Sequence, residues 1–241
     1  MQLVVASAEN GILAERGAHV LAGAAAKSMS PSRQATYTRS RGLLGLALER
    51  FYGLPQLPVI ATLPQGKPYF TEYPHLAFNL SHSRAVIALS VGAAPQGVDV
   101  ELIRERHDLD ALIERTCSTR EQQVLFELPK AGRAALFHRL WTLRECALKT
   151  TGEGLAGLDK VKVNLERGKI CAPALPKGRI CSWPLKALDS SLPEGFLSVF
   201  VGQGEKLQIF LLQQGELRQL ERAQSEVLAL QCLDSQDIGG F

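Results

Sequence analysis

The long stretch after Ser30 carries apolar residues at helical spacing. Ser30 suits an N-cap, Pro31 suits the first helical position, and Gly53 interrupts the pattern. The apolar positions that recur at intervals of three and four residues are Leu43, Leu44, Ala47, Leu48 and Phe51. This pattern predicts a helix from about Pro31 to Tyr52.

Shorter runs of β-branched and aromatic residues between turn residues predict strands. They are Leu3–Ser7, Leu76–Leu80, Ala85–Val91, Val98–Val100, Val161–Leu165, Leu197–Val201 and Leu207–Leu212. Apolar positions at helical spacing predict further helices. These are Leu109–Arg115, Ser118–Leu128, Ala131–Thr150 with Gly152 as its C-cap, and a final helix over Glu216–Gln231.

The order of these elements indicates an α+β chain. Residues 1–102 form one half and residues 103–241 the other, and each half combines helices with a small, mostly antiparallel sheet. The chain has no clear internal repeat, so the residues alone do not show that the halves are related.

Composition and charge narrow the class of protein. Of the 241 residues, 46% are hydrophobic and 21% charged, as in ordinary globular proteins. A net charge of +3 is too small to indicate a nucleic-acid partner, and it suits an anionic ligand or an acidic protein. The five cysteines form no CxxC pair, and no apolar run reaches membrane-spanning length. With no basic and apolar leader at the N-terminus, we expect a cytoplasmic protein without a membrane segment.

The segment Phe78–Ser83 places polar groups at the end of a predicted strand. Ser81 and His82 are neighbours on a strand and point to opposite faces, so they do not form a catalytic dyad. Hydroxyl, imidazole and backbone N–H donors together suit an anion-binding turn. A polar strand end with no further role is the alternative.

Two carboxylates lie on one face of the next predicted strand. Asp99 and Glu101 are two residues apart, and side by side they repel each other unless a cation lies between them. Mg²⁺ takes one or two carboxylates together with substrate phosphates and water. The alternative is a strand whose outer face is solvated.

The predicted helix around Trp141–Lys149 adds further charged groups. Glu145 and Lys149 are four residues apart, which suits an exposed salt bridge. Alternatively, Glu145 is a third magnesium ligand, while Arg144 and Lys149 meet phosphate or stabilise negative charge.

Two other segments each have an ordinary structural explanation. Gly66–Pro68 fits a tight turn with an exposed Lys67. Ser118 and Glu121 match a capping box, which places Glu121 at the third position of a helix. The sequence leaves open whether Glu121 has a chemical role as well.

Taken in order, these segments resemble the Sfp-type 4'-phosphopantetheinyl transferase family. Its pattern is GKP, FNLSHS, G-[VI]-D-[VI]-E and W-[TS]-x-K-E-[AS]-x-x-K. The matching segments are Gly66–Pro68, Phe78–Ser83, Gly97–Glu101 and Trp141–Lys149, preceded by Arg33 and Arg41 in an R-x7-R arrangement. The resemblance covers roughly residues 30 to 155.

Two positions depart from the family pattern. Arg144 stands where the family usually has lysine, and arginine is essentially never a base. Cys146 replaces a small alanine or serine, which is a mild packing change.

The resemblance implies a pseudo-twofold fold of two similar α/β halves with coenzyme A bound between them. The residues implied as ligands of Mg²⁺, or of Mn²⁺, are Asp99, Glu101 and Glu145. Those implied at the coenzyme A phosphates are Lys67, Ser81, His82, Arg144 and Lys149, with Arg33 and Arg41 at the adenosine phosphate end.

The implied reaction moves phosphopantetheine from coenzyme A to a serine of an apo acyl or peptidyl carrier protein. The serine attacks the β-phosphate and 3',5'-ADP leaves, with Glu145 or Glu121 as the candidate base and Lys149 stabilising charge. The carrier protein is expected to be acidic and the enzyme a monomer. A magnesium-dependent phosphohydrolase and an inactive binding module for coenzyme A or the carrier protein are the alternatives.

Overall fold

In the computed structural model, two large β-sheets pack against each other and helices cover their outer faces. The structure describes residues 1–18, 29–93, 95–221 and 227–234. The helices are α1 (Gly11–Ala18), α2 (Pro31–Tyr52), α3 (Leu109–Thr116), α4 (Thr119–Glu127), α5 (Lys130–Thr151), a 3₁₀ helix (Leu155–Lys160) and α6 (Leu185–Leu188). The strands of the N-terminal part are β1 (Gln2–Ser7), β2 (Ile60–Thr62), β3 (Pro68–Phe70), β4 (Ala77–Ser83), β5 (Val86–Gly92) and β6 (Val98–Leu102). Those that follow are β7 (Lys162–Asn164), β8 (Lys169–Ala172), β9 (Gly178–Pro184), β10 (Gly195–Gly202), β11 (Gln208–Gln213), β12 (Glu216–Gln219) and β13 (Leu228–Asp234). The predicted α+β class is confirmed.

The first sheet has the strand order β12-β11-β1-β5-β4. β1 lies in its middle, antiparallel to β5 and parallel to β11, with Val4 opposite Leu89 on one side and Phe210 on the other. Leu3 and Val5 face the second sheet, whereas Val4 and Ala6 face α1 and α2. Both faces of β1 are therefore buried, which explains its uninterrupted apolar sequence.

The second sheet has the order β6-β10-β9-β13-β8-β7 and carries α5 on its outer face. Val199 of β10 points into the core between the sheets, and its neighbour Phe200 points towards Leu143 and Ala147 of α5. β6 is an edge strand of this sheet, so the carboxylate-bearing strand has one side free of strand partners among the described residues.

Two long helices follow the predicted pattern. α2 ends at Gly53, which has a positive φ of 66°, and α5 ends at Gly152 with a φ of 86°, so each helix has a left-handed glycine cap. The short helix α1, which the pattern did not predict, crosses α2 closely. A Cβ atom at Gly17 would lie 1.9 Å from the carbonyl oxygen of Thr38, so this crossing requires glycine.

The predicted final helix over Glu216–Gln231 is wrong. Glu216–Gln219 forms β12 and Leu228–Asp234 forms β13, while residues 222–226 lie outside the described ranges. In β13, Leu230 and Cys232 are buried while Ala229 and Gln231 are exposed, so the spacing of apolar residues here is that of a strand.

The seven predicted strands are present, with ends shifted by a few residues. The pattern missed β2, β3, β8, β9 and, within the helix it assigned, β12 and β13. The proposed boundary after residue 102 separates β6 from its sheet partner β10, and β11 from its partner β1. The pseudo-twofold relation of the two halves stays a prediction.

Candidate active site

Three polar side chains of β4 join the edges of the two sheets. The backbone N–H groups of Val98, Val100 and Leu102 donate to acceptors on β4. Those acceptors are Asn79 Oδ1 at 2.9 Å, Ser81 Oγ at 3.3 Å and Ser83 Oγ at 3.2 Å. Alternate residues of a strand share one face, so a polar residue at every second position follows the edge of β6. The Asn-x-Ser-x-Ser spacing in Phe78–Ser83 thus supplies hydrogen-bond acceptors for the backbone N–H groups at the open edge of β6.

This ladder of side chains, Asn79, Ser81 and Ser83, also orients both carboxylates of β6. Ser81 Oγ donates to Asp99 Oδ1 at 2.7 Å, and Ser83 Oγ donates to Glu101 Oε2 at 3.0 Å. Asp99 is almost completely buried, whereas Glu101 is half-buried. Asn79 and Ser83 were not among the predicted site residues, although each lies two residues from Ser81 in the sequence, which was a usable signal.

Helix α5 brings the third carboxylate and a lysine to this strand. The Lys149 ammonium donates to Asp99 Oδ1 at 2.6 Å and to Ser81 Oγ at 3.0 Å. A cleft of about 250 Å³ is lined by Leu80, Ser81, His82, Asp99, Glu101, Trp141, Glu145 and Lys149. Of the two alternatives for this helix, the salt bridge between Glu145 and Lys149 is not formed, because Lys149 pairs with Asp99 instead.

Burial changes the acidity of three groups in this cleft. It raises the pKa of Asp99, because desolvation outweighs the nearby Lys149 ammonium. Burial also raises the pKa of Glu145, and the negative charge of Asp99 adds to the effect. Partial burial lowers the pKa of His82, which the Lys149 ammonium lowers further. A divalent cation in the cleft would relieve the unfavourable negative charge of the two carboxylates.

The donor set fits a hard divalent cation. Asp99 Oδ2 is buried without a hydrogen-bond partner among the described residues, so one carboxylate oxygen is left for a further ligand. Three carboxylates are oxygen donors of the kind that Mg²⁺ prefers. Within the described ranges, however, no three acidic, His or Cys residues converge closely enough to hold a metal ion. Binding three carboxylates to one ion would thus require their side chains to move.

Glu121 and Arg144 form a pair outside this cleft. Arg144 Nη2 donates to Glu121 Oε1 at 2.6 Å and to Oε2 at 2.5 Å, and only 3% of the Arg144 side chain is exposed. Glu121 also completes the capping box of α4, because it accepts from the backbone N–H of Ser118. Both residues line a different cavity of about 540 Å³ between α4, α5 and β7.

The Lys67 ammonium lies against the end of α5. It donates to the carbonyl oxygens of Gln96 at 3.0 Å, Lys149 at 2.8 Å and Thr150 at 2.6 Å. Burial lowers the pKa of Lys67 to about 8, and the carbonyl groups favour the protonated form. The predicted exposed lysine of a tight turn is thus half-buried and fully hydrogen-bonded.

The two arginines of α2 differ in their surroundings. Arg41 lies over the rings of Tyr37 and Phe78, with Cζ at 4.9 Å and 5.8 Å from the ring centroids. Its Nη1 is buried without a hydrogen-bond partner in the part of the chain described. Arg33 is exposed in the first turn of α2, eight residues before Arg41. Phe78 begins the segment that carries Ser81, so Arg41 approaches the strand of the candidate site.

Comparison with known proteins identifies the family of this chain. The family model for the 4'-phosphopantetheinyl transferase superfamily matches residues 95–201. A putative 4'-phosphopantetheinyl transferase of Haemophilus influenzae is 30% identical over 168 residues, which are 68% of this chain and 67% of that protein. The chain therefore belongs to the 4'-phosphopantetheinyl transferase superfamily.

Two further relatives match over shorter stretches. The 4'-phosphopantetheinyl transferase HetI of a Nostoc species is 34% identical over 141 residues, which are 56% of this chain and 59% of HetI. The 4'-phosphopantetheinyl transferase psf-1 of Bacillus pumilus is 36% identical over 143 residues, which are 56% of this chain and 60% of psf-1. The chain thus spans about three fifths of the length of these relatives.

Among the described residues, no helix combines the length and the apolar character needed to cross a bilayer.

Proposed function

We propose that this chain transfers the 4'-phosphopantetheine arm of coenzyme A to a serine of an apo carrier protein. The observation that carries the proposal is the cleft between two sheet edges that Asp99, Glu101, Glu145 and Lys149 all line. The superfamily and the names of the three relatives support the same reaction. The products are the holo carrier protein and 3',5'-ADP, as in holo-carrier-protein synthases.

Asp99, Glu101 and Glu145 are the proposed ligands of Mg²⁺, for which Mn²⁺ could substitute. The bound ion would neutralise the pyrophosphate and so stabilise the leaving 3',5'-ADP. The orphaned Asp99 Oδ2 and the raised pKa values of Asp99 and Glu145 are consistent with a cation in this cleft.

The basic and hydroxyl groups around the carboxylates are proposed to bind the phosphates of coenzyme A. Lys149 and Ser81 lie beside Asp99, and they would meet the pyrophosphate once Asp99 binds the ion. His82 on the opposite face of β4, with Arg41 and Arg33 on α2, would hold the adenosine phosphate end. Transfer of a phosphoryl-type group to a hydroxyl needs such positioning and charge neutralisation more than covalent help from the protein.

The carrier serine requires a base, and Glu145 is the better candidate. Its carboxylate lines the cleft, whereas both carboxylate oxygens of Glu121 accept from the buried Arg144. In the proposed step the serine Oγ bonds to the β-phosphorus, the bond from that phosphorus to the ADP oxygen breaks, and Glu145 takes the serine proton. Arg144 is bound to Glu121 on the far side of α5, so a direct phosphate contact for it would require that pair to open.

The protein partner is proposed to be an acidic carrier protein, bound by a monomer of this chain. The net charge of +3 favours such a partner, and attraction between opposite charges speeds association at low salt. The cytoplasm, where coenzyme A and carrier proteins meet, is the proposed location.

The test is the intact mass of an apo acyl carrier protein after incubation with this chain, coenzyme A and Mg²⁺. We expect a mass gain of one phosphopantetheine, abolished by EDTA and by Asp99→Ala. Release of phosphate from coenzyme A without a carrier protein would instead indicate a phosphohydrolase. Binding of coenzyme A without transfer to any of several unrelated carrier proteins would indicate a binding module.

A further inference from the structure

Lys67 joins three parts of the chain that are distant in sequence. It lies in the turn between β2 and β3, and its ammonium donates to one carbonyl before β6 and to two at the end of α5. An ammonium group has three N–H donors, and all three are used here. This arrangement leaves Lys67 no donor for a phosphate in the structure as it stands.

The backbone around Lys67 is built for this contact. Gly66 has a φ of 92°, and the N–H of Leu63 donates to the Lys67 carbonyl at 2.9 Å, which closes the turn. The stem of Lys67 passes Gly152, where an added Cβ atom would lie 3.5 Å from Lys67 Cδ. The side chain is therefore held along its length as well as at its tip.

The Lys67 ammonium contacts the backbone of Lys149, the residue whose own ammonium donates to Asp99. The Lys149 carbonyl accepts from Lys67 at 2.8 Å, while the Lys149 ammonium donates to Asp99 at 2.6 Å. The last carbonyls of a helix have no partners within the helix, so a cation there orders the terminal turn. Fixing this turn fixes the origin of the Lys149 side chain.

The neighbouring contact between α5 and β6 has no room to adjust. A Cβ atom at Gly97 would lie 2.0 Å from Thr150 Oγ1 and 2.5 Å from the Cys146 carbonyl oxygen. The Gln96 carbonyl, one residue before Gly97, is the third acceptor of Lys67. Lys67 thus clamps the point where α5 meets the strand of the carboxylates.

We infer that Lys67 is a positioning residue that sets the place of Lys149 through the end of α5, and that it does not bind a coenzyme A phosphate. The kinetic part of this inference rests on the proposed transferase function. Its structural part concerns the protein without coenzyme A.

The test compares Lys67→Met, which keeps the length of the side chain and removes the charge, with Lys130→Met as the matched control. Lys130 is an exposed lysine at the opposite end of the same helix. Without coenzyme A, we expect Lys67→Met to lower the melting temperature by about 5 °C and Lys130→Met to leave it within about 1 °C. We also expect the side-chain NMR signal of Lys149 to shift in Lys67→Met only.

The kinetic test uses coenzyme A and 3'-dephospho-coenzyme A as alternative substrates. A misplaced Lys149 lowers kcat by about tenfold or more, with KM for coenzyme A changed less than about twofold. The preference for coenzyme A over the dephospho form should be the same as in the wild type. A Lys67→Arg variant keeps a cation at the helix end and should recover part of the lost kcat.

Two results would overturn the inference. One is a wild-type melting temperature and an unshifted Lys149 signal in Lys67→Met. The other is a large rise in KM with loss of the preference for the 3'-phosphate, as expected for a phosphate ligand. If Lys67→Met fails to fold while Lys130→Met folds, the clamp is supported, since a ligand-binding residue is not needed to fold the empty protein. A wild-type chain inactive in transfer would refute the proposed function, and the measurements without coenzyme A would still decide the role of Lys67.

Discussion

At the scale of single residues, Asp99 shows the conflict between stability and charge in the candidate site. Its carboxylate is nearly inaccessible to water, and one oxygen has no hydrogen-bond partner within the described residues. Lys149 and Ser81 compensate only the other oxygen. A buried acidic group of this kind stores unfavourable free energy until a ligand arrives.

Replacing Asp99 by asparagine should therefore stabilise the empty protein and inactivate it. The pKa of Asp99 is raised in the folded state, so ionisation opposes folding, and the penalty grows as pH rises from 3.8 through the raised pKa. At pH 7 we expect Asp99→Asn to raise the free energy of unfolding by about 0.5–2 kcal/mol and to lower transfer by about 100-fold or more. Urea unfolding over a range of pH checks this, and the gain should vanish at pH values well below 3.8. A variant less stable than wild type at pH 7 would contradict it.

Glu121 and Glu145 should respond in opposite ways to replacement by glutamine. Glu121→Gln leaves the buried Arg144 charge poorly paired, so we expect a loss of about 3 kcal/mol in stability with transfer retained within a few-fold. Glu145→Gln should lower kcat by about 100-fold or more and leave the fold intact. Thermal melting and carrier-protein transfer measured on the same samples separate the two effects. An active Glu145→Gln variant would remove Glu145 as the base.

At the scale of elements, the side chains of β4 replace a missing strand partner. β6 is an edge strand, and its N–H groups are satisfied by Asn79, Ser81 and Ser83 instead of by another backbone. The segment for which the sequence suggested anion binding is thus a structural joint between the sheets. Its alternating residues lie on opposite faces, with His82 on the face opposite Asn79, Ser81 and Ser83.

The ladder predicts a difference between two buried polar residues on neighbouring strands. Asn79→Ala leaves the buried N–H of Val98 without an acceptor, so we expect a loss of about 1–3 kcal/mol in the free energy of unfolding. Ser90 of β5 is the matched control, because its Oγ is completely buried and has no partner in the described part of the chain. Ser90→Ala should be neutral or stabilising. Equal losses in the two variants, measured by urea unfolding, would show that the ladder contributes nothing.

The sequence predicted best those elements whose apolar residues lie along one face, because that local pattern is enough to identify them. α2 and α5 have long apolar stripes and glycine caps, and both were predicted nearly to their ends. The prediction for the final segment failed because Leu217, Leu220, Val227 and Leu230 happen to fit helical spacing. Pairing in the second sheet makes Leu228–Asp234 a strand. The partners that decide such a segment lie far away in the chain, so local spacing does not contain the answer.

The candidate site was predictable as a set of residues and not as a set of contacts. Asp99, Glu101, Glu145, Ser81, His82 and Lys149 line one cleft, as the grouping of the motifs suggested. The positions of Lys67 and Arg144 depend on which carbonyl or carboxylate lies nearest after folding. A lysine in a turn gives no indication in the sequence that backbone carbonyl groups at and near the end of a distant helix will accept hydrogen bonds from all three of its N–H groups.

At the scale of the whole molecule, the two sheets exchange strands along the chain. β6 comes from the first part and pairs with β10, while β11 comes from the last part and pairs with β1. The two sheets also share one core, in which Leu3 and Val5 meet Val98 and Leu197. In the order of the chain, each sheet's strands are therefore interrupted by strands of the other sheet.

This arrangement of strands has a consequence for folding during synthesis on the ribosome. β1 is synthesised before its parallel neighbour β11, which begins at Gln208, roughly two hundred residues later. At about 5–20 residues per second, Leu3–Ala6 would wait on the order of 10 to 40 s for that partner. During this interval an apolar strand edge is open to other nascent chains, so slow translation between β1 and β11 would lengthen the period in which this protein depends on chaperones.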